Sequence, residues 1–172
     1  DLNDESPAWR QVGAMTYGRR HLNATLLPDG SVLVNGGSSA AGFDVEAGAV
    51  LHAELWDPVT EKWTVMAAQH RYRGYHSTAV LLPDGRVLSG GGGHPNPLRG
   101  AQHNLEIYSP PYLFKGARPE ILNAPQQVTY GQEFAVETPN ATEIANVNWV
   151  RLSAVTHAFN QSQRINRLPF SS

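Results

Sequence analysis

Apolar residues in this chain come in short runs of four to six, each closed by proline, glycine or aspartate. Ala24-Thr25-Leu26-Leu27 runs into Pro28-Asp29-Gly30, and Ser31-Val32-Leu33-Val34 follows. Ala79-Val80-Leu81-Leu82 runs into Pro83-Asp84-Gly85, and Arg86-Val87-Leu88 follows. Runs this short, bounded by turn residues, predict β-strands rather than helices. Pro-Asp-Gly is a turn with a mechanism: proline presets φ, aspartate bonds its own backbone, and glycine takes the positive φ. The two stretches are copies. Shifted by 55 positions, His21 lies on His76, Pro28-Asp29-Gly30 on Pro83-Asp84-Gly85, and Val32-Leu33 on Val87-Leu88. Further along, Glu54-Leu55-Trp56-Asp57-Pro58 matches Glu106-Ile107-Tyr108-Ser109-Pro110, and Trp63 matches Trp9.

Each copy therefore reads strand, Pro-Asp-Gly turn, strand ending in Gly-Gly, long loop, strand, Pro-containing turn, and a final strand. A glycine pair after a short β run lets two backbones approach closely. A period near fifty residues with four strands per unit is the pattern of a kelch-type propeller blade. Trp9 to Met15 reads as the last strand of a preceding unit, and Pro111 to Pro119 as a closing strand and linker. Beyond that the texture changes. Ile121-Leu122, Gln127 to Tyr130, Glu133 to Thr138, Ala145 to Leu152 and Gln163 to Phe170 are short β-like segments with turns between them. They predict an immunoglobulin-like sandwich that is cut short, at about 55 residues against roughly 100 for a complete one. The expected fold is all-β: about two blades of a partial kelch-type β-propeller over residues 1–116, then a truncated immunoglobulin-like β-sandwich over 117–172. Two blades do not close a propeller, so the rest of one is expected as a partner for closure.

Composition supports the all-β reading: 16 Gly and 12 Pro in 172 residues, with 16% charged residues. A formal net charge of −2 argues against sequence-independent nucleic-acid binding, which needs a basic surface. No apolar run approaches the length of a membrane span. The chain has no cysteine, which excludes disulfides, thiolate metal sites and cysteine nucleophiles within it. Asn23, Asn140 and Asn160 head Asn-x-Ser/Thr triplets; of these, Asn140 lies outside the segments expected to be packed.

Chemistry concentrates in Arg73-Gly74-Tyr75-His76, just before a strand. Adjacent residues of a regular strand point to opposite faces, so Tyr75 and His76 can face one site only if Gly74 opens a loop or bulge there. A packed aromatic and a hydrogen-bonded core histidine are the plainer reading of the pair. The first copy has Arg20-His21 at the same place, candidates for a substrate pocket, with Tyr17 and Arg19 weaker ones. His94 and His103 flank a loop without zinc-ligand spacing and read as loop histidines. Trp9, Trp56, Trp63 and Trp149 read as core.

Three segments together carry a family resemblance. Arg73-x-Tyr75-His76-Ser77 with Leu81-Leu82-Pro83-Asp84-Gly85-Arg86-Val87 and Gly90 to Gly93, then Glu106 to Leu113, resemble the last blade of galactose oxidase and glyoxal oxidase. Thr156-His157-Ala158-Phe159-Asn160-Gln161-Ser162-Gln163-Arg164 resembles the segment of their C-terminal domain that pushes a histidine into the propeller. The likeness covers the chain from about Trp9 to Phe170 and makes it a C-terminal portion of such a protein.

The resemblance implies a copper radical oxidase that converts a primary alcohol or aldehyde with O2 and releases H2O2. It implies one Cu2+ held by His76, His157 and the axial Tyr75, which also accepts the proton of the alcohol. Two imidazoles and a phenolate form an N/O set suited to Cu(II). A free phenol has a pKa near ~10, so the metal's charge must favour the phenolate. Asn160, Gln163 and Arg164 become possible second-layer residues that orient His157, or simply braces of its loop. The family's radical-bearing tyrosine, cross-linked to cysteine, has no counterpart among these residues, so this chain alone is expected to be inactive. Substrates would be small primary alcohols, aldehydes or carbohydrates, and the location extracellular or at the cell surface. The alternative is a non-enzymatic kelch-type module binding glycan or protein, with Tyr75, His76 and His157 as packing residues.

Overall fold

A computed structural model describes residues 4–93, 101–155 and 159–172. Among the described residues there are nine strands, no α-helix, and three sheets. The first sheet is an antiparallel meander of β1 (Asn23–Leu26), β2 (Val32–Asn35), β3 (His52–Asp57) and β4 (Lys62–Ala68). The second pairs β5 (Ser77–Leu81), β6 (Val87–Gly91) and β7 (Leu105–Tyr108) in the same sequential order. The third is the pair β8 (Val147–Val150) and β9 (Ile165–Leu168).

The repeat is visible atom by atom at the turns. Gly30 N–H donates to Leu27 O at 2.9 Å, and Gly85 N–H to Leu82 O at 2.9 Å. Asp29 Oδ1 accepts from Ser31 N–H, and Asp84 Oδ1 from Arg86 N–H, both at 3.0 Å. Gly30 and Gly85 sit at φ +88° and +87°, the left-handed residue that closes a three-residue hairpin loop. These turns fix register, so Leu26 pairs with Val32 and Leu81 with Val87. The alternation of β5, buried at Ser77, Ala79 and Leu81, then sends one face inward. Leu27, Leu33, Ala53, Ala79, Leu81 and Val87 form a core shared by both sheets, and Val150 of β8 packs against it.

Polar bolts join the sheets at matching positions. Asn23 Nδ2 donates to Ser77 Oγ and Asn35 Nδ2 to Ser89 Oγ, each at 2.8 Å and buried. The strands β1 and β5 are sheet edges, and an edge leaves backbone groups in need of partners. Gln163 supplies them on β1, accepting from Leu26 N–H at 2.6 Å and donating to Ala24 O at 3.0 Å. Ser153 Oγ accepts from Leu81 N–H on β5 at 3.3 Å.

Several expectations change. Trp9 to Met15 forms no strand, and Trp9 is fully exposed rather than core. Pro111–Phe114 is a 3-10 helix, not a closing strand: Pro111 at its start has the φ a helical turn needs and no N–H to leave unbonded. Between residues 118 and 146, an Asn123–Glu137 bridge stands where three strands are expected, and Ile121, Leu122 and Tyr130 are exposed.

Two buried ion pairs tie the entry segments to the sheets. Arg19 Nη2 meets Glu54 Oε1 at 2.7 Å with both side chains fully buried, and Arg73 Nη2 meets Glu106 Oε2 at 2.9 Å. Burial alone would raise the Glu54 pKa, but the N–H groups of Thr16 and Tyr17 and the Arg19 guanidinium hold it below the ordinary value. Glu106 is likewise lowered: His70, through its N–H and ring, and Arg73 outweigh burial. A carboxylate depressed in the folded state contributes stability above its unfolded pKa, about 4.3, and loses it as pH falls through the folded value. Denaturant titration of the intact protein should therefore show a stability loss starting just below that pH. Glu54→Ala should cost about 3–5 kcal/mol at neutral pH, because it strands a buried guanidinium. Arg10→Ala, which breaks only the exposed pair with Glu61, should have no measurable effect.

Candidate functional site

The residues of interest sit in the segment that leads into β5. Arg73 is fully buried and anchors it: Nη1 donates to Gly91 O and Asn104 O at 3.1 Å, Nη2 to Asn104 Oδ1 at 2.7 Å. In the first copy Arg19 does the same work, donating to Gly36 O at 3.2 Å, His52 O at 2.9 Å and Glu54. Arg19 is therefore part of a buried brace, not of a substrate pocket. The β1–β2 and β5–β6 registers set His21 against His76. Arg20 exchanges backbone bonds with Ser38, and Tyr75 O accepts from Gly93 N–H at 2.7 Å, which sets Tyr75 against Arg20. The second copy thus carries one more residue between arginine and histidine, and that residue is Gly74.

The extra residue makes a turn. Ser77 N–H donates to Gly74 O at 3.0 Å, closing a four-residue turn with Tyr75 and His76 at its centre. His76 takes φ +62° at the third position, where a type II turn requires a positive value. As a result the two adjacent rings lie side by side, centroids 3.8 Å apart and 27° between planes, which a regular strand forbids. His21 has the same left-handed backbone, φ +58°, and its ring lies 5.7 Å from that of Tyr75. Its Nδ1 is buried and has no hydrogen-bond partner among the described residues.

Phe43 and Asp44, in the loop between β2 and β3, complete the cluster. Phe43 packs edge-on to Tyr75 at 4.7 Å and to His21 at 5.3 Å. Asp44, buried and at φ +48°, accepts from Tyr75 N–H at 3.0 Å and from Tyr72 Oη at 2.9 Å. Arg20 supports this loop by donating to Gly42 O at 3.0 Å. Pattern singles out neither Phe43 nor Asp44, since the long loops of the two copies do not align residue by residue. The signal available was the length of that loop, because long connections carry function.

The remaining candidates divide. His157 lies outside the described residues, as does His94. Gln163 holds its segment to β1 and also donates to Asn160 O at 3.1 Å. Both amide atoms of Asn160 are buried without a partner among the described residues, and Arg164 accepts from Arg151 N–H through its backbone at 3.0 Å. Tyr17 stacks on His52 with ring centroids 5.7 Å apart. Among the described residues no group of three or more His, Asp or Glu side chains could hold a metal.

Comparison with known proteins shows the family. Residues 1–112 match the family described as glyoxal oxidase N-terminus. The chain belongs to that family. Residues 118–172 match the galactose oxidase-like early set domain. An aldehyde oxidase GLOX from Vitis pseudoreticulata is 31% identical over 96% of this chain and 34% of its own length. A galactose oxidase from Gibberella zeae is 29% identical over 90% of this chain and 23% of its own. Among solved structures, a fungal alcohol oxidase of the AA5 family, in complex with copper, superposes with a TM-score of 0.85 at 31% identity. That match covers 95% of this chain and 35% of the alcohol oxidase. This glyoxal oxidase-family chain thus spans about a third or less of the relatives' length.

Gly74 allows a direct check of the turn. A Cβ there would collide with Tyr72 Oη, Tyr72 Cζ and Asp44 Oδ1, whereas one on Gly18 meets nothing within 4 Å. Gly74→Ala should cost about 1–3 kcal/mol by overpacking, and Gly18→Ala should stay within about 0.5 kcal/mol. Urea denaturation of the two variants distinguishes them.

Proposed function

We propose that this chain contributes part of the catalytic centre of a copper radical oxidase that oxidises a primary alcohol or aldehyde and reduces O2 to H2O2. The observation that carries the reading is the turn at Gly74–Ser77, which sets a phenol and an imidazole side by side. In this reading the first two sheets are neighbouring blades of a kelch-type propeller, and residues 117–172 begin an immunoglobulin-like domain. The family membership and the copper-containing relative support it.

The residues present fit copper. Tyr75 offers oxygen and His76 nitrogen, donors that Cu(II) accepts together, and the neighbouring His21 Nδ1 is a buried nitrogen still lacking a partner. Tyr75, His76 and, from outside the described residues, His157 would hold the ion. Bound copper, together with a radical-bearing tyrosine, supplies the capacity to take two electrons from the substrate. Tyr75 is the proton acceptor: its phenolate oxygen takes the hydroxyl proton of the alcohol. Asn160, Gln163 and Arg164 steady the His157 segment, Gln163 through its bonds to β1. Phe43 and His21 pack against the Tyr75 ring and, with Arg20 behind the Phe43 loop, would limit the shape of a small alcohol, aldehyde or carbohydrate. We place the protein outside the cell or on its surface by family resemblance. Among the described residues no helix is long and apolar enough to cross a membrane.

Copper content of the intact protein tests the reading. The wild type should hold one copper, and His76→Ala and His157→Ala should each lower copper affinity at least tenfold. Alcohol-dependent H2O2 release should vanish in Tyr75→Phe while the fold persists. Equal copper binding in all variants would remove the assigned ligands. A copper-free wild type would leave the kelch-type binding module as the better account.

A further inference from the structure

We infer that Asp44, held in place by the Tyr72 hydroxyl, is the positioning residue for Tyr75. The inference rests on the copper reading for its consequence but not for its geometry. Asp44 reaches across from the loop after β2 of the first sheet to the segment that enters the second. It is 3% exposed, and a single oxygen, Oδ1, accepts both the Tyr75 N–H at 3.0 Å and the Tyr72 hydroxyl at 2.9 Å. The two donors lie on either side of Gly74, so Asp44 closes a small ring around the residue that the first copy lacks. A side chain at position 74 would occupy the space taken by that oxygen and that hydroxyl.

The arrangement combines several individually unfavourable features. Asp44 sits at φ +48°, a left-handed conformation that a non-glycine residue adopts only at a cost. Burying a carboxylate costs more unless it is hydrogen-bonded. His76, two residues from Gly74, is itself left-handed at φ +62°. The turn is therefore an unfavourable backbone conformation held by a partner from the neighbouring sheet. Without Asp44 the Tyr75 N–H loses its acceptor and the Gly74–Ser77 turn loses the contact that opposes relaxation toward a strand. A strand would send Tyr75 and His76 to opposite faces. Phe43, the preceding residue, then presses on the Tyr75 ring, so backbone and ring are fixed by consecutive residues of one loop.

Asp44 touches neither substrate nor copper in this account; it acts through Tyr75. The test compares Asp44→Ala with Asp44→Asn in the intact protein, since asparagine keeps an oxygen that can accept both bonds. Amide hydrogen exchange at Tyr75, measured without copper, should be about tenfold faster in Asp44→Ala. It should be near wild type in Asp44→Asn, with exchange in β1 and β2 unchanged in both. Copper affinity by equilibrium dialysis should fall about 10–100-fold in Asp44→Ala and be largely restored in Asp44→Asn. Unchanged Tyr75 exchange together with unchanged copper affinity in Asp44→Ala would overturn the proposal. If the wild type binds no copper but the exchange pattern holds, the clamp stands and the copper reading falls. Should Asp44→Ala fail to fold, Tyr72→Phe carries the test: it keeps the carboxylate but frees it from its second donor. Faster Tyr75 exchange in that variant supports the clamp, and wild-type exchange with wild-type copper affinity overturns it.

Discussion

A buried guanidinium is tolerated only where oxygens surround it, and Arg73 is the point from which the site is hung. Its bonds to Gly91 O, Asn104 and Glu106 tie the incoming chain to the central strand β6 and to the start of β7. The chain then has three residues in which to reach the start of β5 at Ser77. Arg19 makes the equivalent tie in the first sheet, with one residue fewer before its histidine. Between brace and histidine the two repeats differ by the added Gly74 and by Tyr75 in place of Arg20. Gly74 takes up the slack as a turn, and the turn brings two donor side chains to the same side.

The neighbouring sheet supplies what the turn cannot hold by itself. Gly36 allows the approach, since a Cβ there would lie 2.5 Å from Arg73 O, and Gly37 N–H donates to that same oxygen at 2.7 Å. The loop that follows delivers Phe43 to the Tyr75 ring and Asp44 to its backbone. Packing of one repeat on the next is thus also the alignment of the site. In the copper reading, a residue that touches no ligand changes metal affinity by this route, because ligand orientation depends on the partners behind the ligand.

Much of this was legible in the sequence, for physical reasons that can be named. Pro-Asp-Gly admits few backbone conformations, so both hairpins and their register follow from three letters each. The offset of 55 positions located His21 and His76 together, and the structure gives them the same left-handed backbone. Gly74 was readable as the device that reconciles neighbouring side chains with a strand. Arg19 and Arg73 were not readable as braces, because an arginine in a string looks alike whether solvated or buried. Asp44 was hidden for a related reason: its partner is 31 residues away, and its loop does not align residue by residue with that of the second copy. Trp9 misled because the repeat placed it opposite Trp63, yet only Trp63 finds a polar anchor, donating to Gly13 O at 2.8 Å. After residue 117 the strand pattern is real in β8 and β9 but overstated elsewhere. Alternation alone does not create a strand where no neighbouring chain offers hydrogen bonds.

The central claim is that Tyr75 and His76 bind one metal ion because a single inserted residue turns them to the same side. Pulsed electron paramagnetic resonance on the copper-loaded intact protein with 15N-labelled histidine tests it most directly. The account predicts hyperfine coupling to two imidazole nitrogens in the wild type, one of which disappears in His76→Ala. An unchanged two-nitrogen pattern in His76→Ala would contradict it.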